Sequence, residues 1–317
     1  MSRLKYLLGC SGLIGLLFAP SLLAEESTRL LERMAEAARD QSYHGSYVYE
    51  RAGIFTTQDI WRKVGPDGVD ELLRQTAGRN QEWLRHDGKL VCASSIASTD
   101  AQGTPVLGSD PSQLSEWYGL RLMGNTRIAS RPVTVIALEP RDAFRYAYEL
   151  YLDNATGLML KSLLMGEKRE LLELFQFATV SFDEPSPEDL QPSGSCLELE
   201  PAVKSAEAAA TYWEPAWLPP GFTLGHQQVQ TIKGSDLRIT SQIYTDGLAR
   251  FTLFVEPLGN DGLAKDLRAQ LGPTVAISRR LLVQDQLFLA TVVGEIPPLA
   301  AERIVESLSE AIVGAQP

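Results

Sequence analysis

Between residues 145 and 180 the side chains alternate in character with a period of two. Tyr146, Tyr148, Leu150 and Leu152 fall on one face of an extended segment, and Arg145, Ala147, Glu149 and Tyr151 on the other. Asp153-Asn154-Ala155-Thr156-Gly157 then reads as a turn, Leu158 to Leu164 as a returning strand, Glu167-Lys168-Arg169 as a second turn, and Glu170 to Val180 as a third strand. Tight turns between alternating segments leave room only for antiparallel neighbours. Gly45–Arg51, Phe55–Val64, Asp70–Gln75, Gln81–His86, Arg127–Ile128 and Val133–Leu138 extend the pattern upstream. With an amphipathic helix over 27–40, its apolar face set by Leu30, Leu31, Met34, Ala35 and Ala38, this predicts an α+β fold. About nine or ten strands make a large curved sheet or an open antiparallel β-barrel.

The concave face of such a sheet must be filled. Two readings of its aromatic strands stand. In one, the chain's own side chains fill it as an ordinary core. In the other, Tyr47, Tyr49, Tyr146, Tyr148 and Phe175 line an apolar cavity for a lipid or acyl chain.

The first 24 residues read as a secretory signal, with Arg3 and Lys5 basic, Leu7 to Phe18 apolar, and cleavage expected after Ala24, although Leu22 is large for its position. Leu7-Leu8-Gly9-Cys10 has the look of a lipoprotein box, but too few residues separate Lys5 from Cys10 for an apolar core, so Cys10 is taken as part of the signal. The apolar run is too short to span a bilayer. Losing Arg3 and Lys5 takes the net charge from -11 to -13. That balance argues against nucleic acid and against broad docking on anionic membranes. Two cysteines then remain, Cys92 and Cys196; an even count in an oxidising compartment permits one disulfide, and two separate thiols fit as well.

On this reading the barrel domain spans 25–180. Residues 181–205 form an acidic linker in which Pro185, Pro187, Pro192 and Pro201 break regular structure, with Lys204 facing a run of carboxylates. The second domain spans 206–317. Ile239–Tyr244 and Arg250–Val255 flank Thr245-Asp246-Gly247 as a hairpin; Thr274–Arg280, Leu281–Val283 and Phe288–Val293 are further strands. A final helix over Leu299–Ile312 turns Ile304, Val305, Leu308 and Ile312 inward. At its entry, Tyr212 to Phe222 holds two tryptophans and three prolines, a stiff aromatic strip suited to sealing a domain or gripping another chain.

Chemistry is hard to place on this chain. His44, His86 and His226 have no second ligand at metal-binding spacing, so neither metal nor cofactor is expected. No nucleophile elbow, phosphate loop or dinucleotide fingerprint occurs, and an enzyme is not expected. Glu149 with Asp153, or Glu167 with Glu173, can be drawn as acid pairs, but solvated strand ends are the expectation. Asn154-Ala155-Thr156 is a sequon that a hairpin turn explains fully. Arg141-Asp142-x-Phe144-Arg145 reads as a solvated turn, with binding of an anion or acidic segment as the alternative.

An ordered set of short stretches resembles the RseB/MucB family of periplasmic envelope-stress regulators. They are Tyr47-Val48-Tyr49-Glu50-Arg51, Trp117-Tyr118 with Thr126-Arg127-Ile128-Ala129-x-Arg131, Arg145-Tyr146-x-Tyr148, and Leu152-Asp153 through Gly157-Leu158. Trp217-Leu218-Pro219-x-Gly221-Phe222, Tyr244-x-Asp246-Gly247 and Val293-Gly294-Glu295-x-Pro297-Pro298 continue the series. The resemblance implies a first domain similar to the lipoprotein carriers LolA and LolB, and a smaller C-terminal α/β domain. It implies binding to the periplasmic segment of a membrane-spanning anti-sigma factor, shielding of that segment from site-1 proteolysis, and release by lipopolysaccharide or a related lipid. Homo-oligomers occur in some members. Aromatic and arginine side chains are the usual interface anchors, which makes Trp217, Leu218, Phe222, Tyr244 and Arg250 the expected partner contacts. A lipid or lipoprotein carrier is the competing expectation.

Overall fold

The computed structural model describes residues 19–78, 81–94, 113–194, 196–198, 213–231, 238–258, 266–283 and 285–308. The signal's basic and apolar segments with Cys10, and Glu200, Pro201, Lys204, Tyr212 and Ile312, lie outside them.

Helix α1 (Ala19–Asp40) begins eight residues before the expected start and runs through the expected cleavage position at Ala24. Leu31, Met34, Ala35 and Ala37 are buried, and the helix lies against the strand formed by Tyr118–Ile128. The strands that follow are β1 (Tyr43–Arg51), β2 (Ile54–Gly65), β3 (Gly68–Gln75), β4 (Glu82–His86) and β5 (Lys89–Ala93). The short helix α2 (Leu114–Trp117) leads into β6 (Tyr118–Ile128), β7 (Arg131–Pro140), β8 (Ala147–Asp153), β9 (Met159–Met165) and β10 (Leu171–Ser181). With β11 (Leu197–Glu198) they form an eleven-stranded sheet in the order β11-β5-β4-β3-β2-β1-β10-β9-β8-β7-β6. Two meanders are thus joined where β1 pairs antiparallel with β10. The end strands β11 and β6 do not pair, so the sheet is open.

Cross-strand aromatic pairs hold that joint. Tyr47 lies opposite Phe177 and Tyr49 opposite Phe175, and the Tyr47 and Phe175 rings are 4.9 Å apart. The turn after β8 is fixed by Asp153, whose Oδ2 accepts from the amides of Ala155 and Thr156 at 3.2 and 2.9 Å. Its Gly157 has φ +83°, and a Cβ there would stand 2.8 Å from the Arg33 carbonyl of α1, so helix and turn meet only at a glycine.

The stretch expected to be an unstructured linker is stitched to this sheet. Ser193 donates from its amide and hydroxyl to Glu82 at 2.8 and 2.6 Å. Cys92 and Cys196 are joined by a disulfide, and β11 pairs with β5 beside it, covering an otherwise open edge. These ties span more than a hundred residues, beyond what local composition reports.

One of these carboxylates, Asp153, also differs from the solvated state expected of it. Asp153 is buried and bonded to Arg131 Nε at 2.7 Å. Burial pushes both Glu82 and Asp153 up, but the bonds from Ser193 and Arg74 to Glu82, and from Arg131 and Thr156 to Asp153, outweigh it and hold both carboxyls below their ordinary values. A depressed folded value contributes stability above the unfolded value that is lost as pH falls through the folded one. The contribution of these two groups to the urea midpoint is therefore expected to be complete above about pH 5 and to be lost below about pH 4. Glu82→Gln with Asp153→Asn should flatten that drop.

A second sheet contains β12 (Thr223–Thr231), β13 (Arg238–Thr245), β14 (Arg250–Pro257), β15 (Leu267–Leu271), β16 (Thr274–Val283) and β17 (Gln286–Gly294), in the order β12-β13-β14-β17-β16-β15 and antiparallel throughout. The two strands expected over 274–283 are one. Helix α3 (Pro298–Ser307) starts with proline in its first turn and buries Ala300, Ala301, Ile304 and Val305 against β16 and β17. Among the described residues the helix follows the strands instead of alternating with them, an α+β layout in place of the α/β one implied by resemblance.

Candidate functional site

The five aromatic residues proposed to line a lipid cavity, Tyr47, Tyr49, Tyr146, Tyr148 and Phe175, are all buried, and they share one core cluster with Leu31, Met34 and Ala35 of α1. Tyr47 donates to Gln58 at 2.6 Å and Tyr49 to Glu173 at 2.5 Å. The Tyr146 hydroxyl is buried without a hydrogen-bond partner among the described residues.

The five residues proposed for partner binding gather on the second sheet. Phe222 and Tyr244 are buried in its core around Phe251, with Tyr244 stacked on Phe251 at 5.0 Å. Trp217 and Leu218 are half-buried against the same core, and Arg250 is exposed at the start of β14. The strip from Trp217 to Phe222 lies along the junction of the two domains.

Arg145 organises that junction. The turn expected to be solvated instead delivers this side chain, fully buried, from the first domain into the second. Its Nη1 donates to Asp246 Oδ2 at 2.7 Å, its Nη2 to the Pro220 carbonyl at 2.6 Å, and its Nε to Asp142 Oδ1 at 3.1 Å. The guanidinium lies 5.6 Å from the ring centres of Trp117 and Tyr118 and 5.3 Å from that of Phe222. Asp246 sits in the β13–β14 turn and accepts from the amides of Leu248 and Ala249 at 2.9 and 2.7 Å. Burial pushes the Asp246 carboxyl up, opposed by those amides and by Arg145.

Gly221 lets the strip reach this close. Its φ is +83°, and a Cβ would fall 2.2 Å from the Trp117 indole. Gly221→Ala is expected to cost about 2–4 kcal/mol, from left-handed backbone strain and overpacking together. Chemical denaturation of the variant checks this, and an unchanged midpoint would contradict the packing described.

A second contact closes the other side. Arg51, at the end of β1, bonds Glu173 of β10 at 2.6 Å, Thr274 of β16 at 3.0 Å, and Glu295 beyond β17. Glu173, expected to be a solvated strand end, is buried; that burial and the nearby Glu295 charge raise its carboxyl above the ordinary range, against the pull of Arg51. Sequence reasoning missed Arg51, Trp117, Glu173, Asp246 and Glu295 as a set. Arg145 carried a signal, an arginine among aromatic and acidic neighbours, but nothing local named its partner.

The arrangement joins the two sheets through buried Arg145 and through Arg51, with half-buried Trp217 beside the joint. Among the described residues no cluster of three or more His, Cys, Asp or Glu is suited to a metal. None of the described helices is long and apolar enough to cross a membrane.

Family models match the chain in two parts, the MucB/RseB N-terminal domain over residues 26–195 and the MucB/RseB C-terminal domain over residues 207–309. The chain is 44% identical over 302 residues to the sigma factor AlgU regulatory protein MucB of Pseudomonas aeruginosa, covering 93% of this chain and 95% of that protein. It is 30% identical over 310 residues to the sigma-E factor regulatory protein RseB of Haemophilus influenzae, covering 93% and 95%. Among solved structures it is similar to the crystal structure of MucB in complex with MucA(peri), at 43% identity and a TM-score of 0.75, covering 89% of this chain and 97% of that one. The crystal structure of MucB gives a TM-score of 0.70 at 43% identity, covering 89% and 97%.

Proposed function

Because the chain belongs to the MucB/RseB family, we propose that it is a periplasmic regulator that binds the periplasmic segment of a membrane-spanning anti-sigma factor. One observation carries the reading: the likeness to MucB solved in complex with MucA(peri) extends over 89% of this chain and spans both sheets.

In this account the protein is secreted through residues 1–24, which leaves the Glu25–Asp40 part of α1 to pack on β6. The LolA/LolB-like first domain spans 25–180, residues 181–205 form a connecting strap, and 206–317 make the partner-binding domain. While bound, the protein shields the anti-sigma segment from site-1 proteolysis. Trp217 and Leu218, half-buried, and Arg250, exposed, have surface to offer a partner; Phe222 and Tyr244 support them from behind.

Release by lipopolysaccharide or another lipid would follow from linkage. A lipid that lowers affinity for the segment must have its own affinity lowered by the segment by the same factor. The domain junction is the element both ligands would bias, since Tyr49 and Tyr148 belong to the first core and Tyr49 bonds Glu173, a member of the Arg51 contact.

The test is a protection assay. Mature protein is expected to slow cleavage of the anti-sigma periplasmic segment by the site-1 protease, and added lipopolysaccharide to restore it. Equal cleavage with and without the protein would sink the shielding role. Lipid and segment bound together without mutual effect would sink the release mechanism; no segment binding, with stoichiometric extraction of lipid from membranes, would favour a lipid carrier.

A further inference from the structure

We propose that Arg303, laid over Trp217 and Phe144 at the domain junction, forms a carboxylate-binding shelf that takes an acidic residue of the polypeptide partner. The inference rests on the anti-sigma reading and names a recognition point within it.

Helix α3 exposes several charges. Glu302 pairs with Arg268 of β15, and Glu306 with Arg279 of β16 at 3.2 Å. Arg303 lies between these glutamates in sequence, is exposed, and has no ion pair among the described residues. It instead places its guanidinium carbon 4.1 Å from the centre of the Trp217 ring and 5.6 Å from that of Phe144. Those two rings meet edge to face at 4.9 Å.

A guanidinium held over an aromatic ring spends no N–H donor on that contact, so its planar fork stays available to an acceptor. That fork matches both oxygens of a carboxylate. The shelf is also fixed. The Trp217 carbonyl accepts from Ser307 at 3.3 Å, and Phe144 is anchored by its amide on Asp142 at 2.9 Å. Asp142 is itself committed to Arg145. Arg141, at the start of the Phe144 loop, is a second exposed cation without an ion pair among the described residues. A chain of net charge -11 therefore presents unneutralised arginine beside half-buried tryptophan, the composition of an interface anchor. Charge complementarity commits the shelf to an acidic side chain.

Calorimetric titration of mature protein with the anti-sigma periplasmic segment tests this. Arg303→Glu should weaken binding roughly tenfold or more. Arg303→Lys should also weaken it, because an ammonium cannot present the same fork. Arg303 is exposed and has no ion pair among the described residues, so losing its contact with the Trp217 ring should lower the melting temperature by only a few degrees. In a scan of single Asp→Asn and Glu→Gln changes in the segment, one should lose affinity against wild type and lose almost none against Arg303→Gln. Unchanged affinity in Arg303→Glu, or additive effects at every segment position, would overturn the shelf. Loss of lipopolysaccharide binding alone in Arg303→Glu would overturn it in favour of a phosphate. No binding by the wild type would instead overturn the anti-sigma reading, and the shelf with it.

Discussion

Arg145→Ala is expected to destabilise the protein by about 3–5 kcal/mol, the usual loss when one member of a buried ion pair is removed. Asp246 has no exposed side-chain surface, and after the substitution it would keep the Leu248 and Ala249 amides and the Tyr118 hydroxyl but lose the Arg145 cation, its one ion-pair partner among the described residues. Pro220 would lose the donor to its carbonyl, and the space between Trp117, Tyr118 and Phe222 would empty. The loss falls between the domains, so the first urea transition should move while the unfolding of each separate sheet changes less. Arg145→Lys should recover only part of the loss, since one ammonium cannot serve Asp246, Pro220 and Asp142 together. Arg145→Met with Asp246→Leu should recover more, because a matched apolar pair leaves no stranded charge. A loss below about 1 kcal/mol in Arg145→Ala would show that the pair does not hold the junction.

Removing the Cys92–Cys196 disulfide is expected to cost about 4–5 kcal/mol in the chain-entropy model, given a sequence separation of 104. The bridge is the covalent member of a strap that also uses Ser193 on Glu82 and the two-residue pairing of β11 with β5. Guanidinium unfolding of mature protein with and without reductant, compared with Cys92→Ala/Cys196→Ala, measures the effect. The double variant should match the reduced protein and ignore reductant. Faster amide exchange is expected at Ala93 and Leu197 once the bridge is gone. An unchanged midpoint would mean that the strap is held by its hydrogen bonds and that the bridge constrains little.

The first sheet could be read from the chain because one face of most of its strands is buried. Tyr146, Tyr148, Leu150 and Leu152 are all inside, as their alternation requires. Where strands lie at an edge, the alternation fades. β15 is exposed along its whole length and β12 is largely polar, so neither was legible, and β6, which exposes most of its second half, was expected only over Arg127–Ile128. The strap failed for another reason. Its prolines and acids are those of a linker, and only the distant Cys92 and Glu82 make it part of a domain.

The junction was legible in half. Trp217 to Phe222 was expected to be a stiff strip at a domain entry, and its Gly221 stands against Trp117 with φ +83° while the Pro220 carbonyl accepts from Arg145. Arg145 was visible as a charge beside Phe144 but was assigned to solvent. Its burial depends on Asp246, a hundred residues away, and local pattern carries no information about that pairing. Glu173 and Asp153 were misjudged in the same way, because Arg51 and Arg131 neutralise them from neighbouring strands.

Binding is the claim on which the whole account turns. The direct measurement is calorimetric titration of mature protein, residues 25–317, with the periplasmic segment of the anti-sigma factor from the same genome. The account predicts saturable binding at about micromolar affinity or tighter. Absence of binding heat at several temperatures, with protein shown to be folded by its cooperative unfolding, would contradict it.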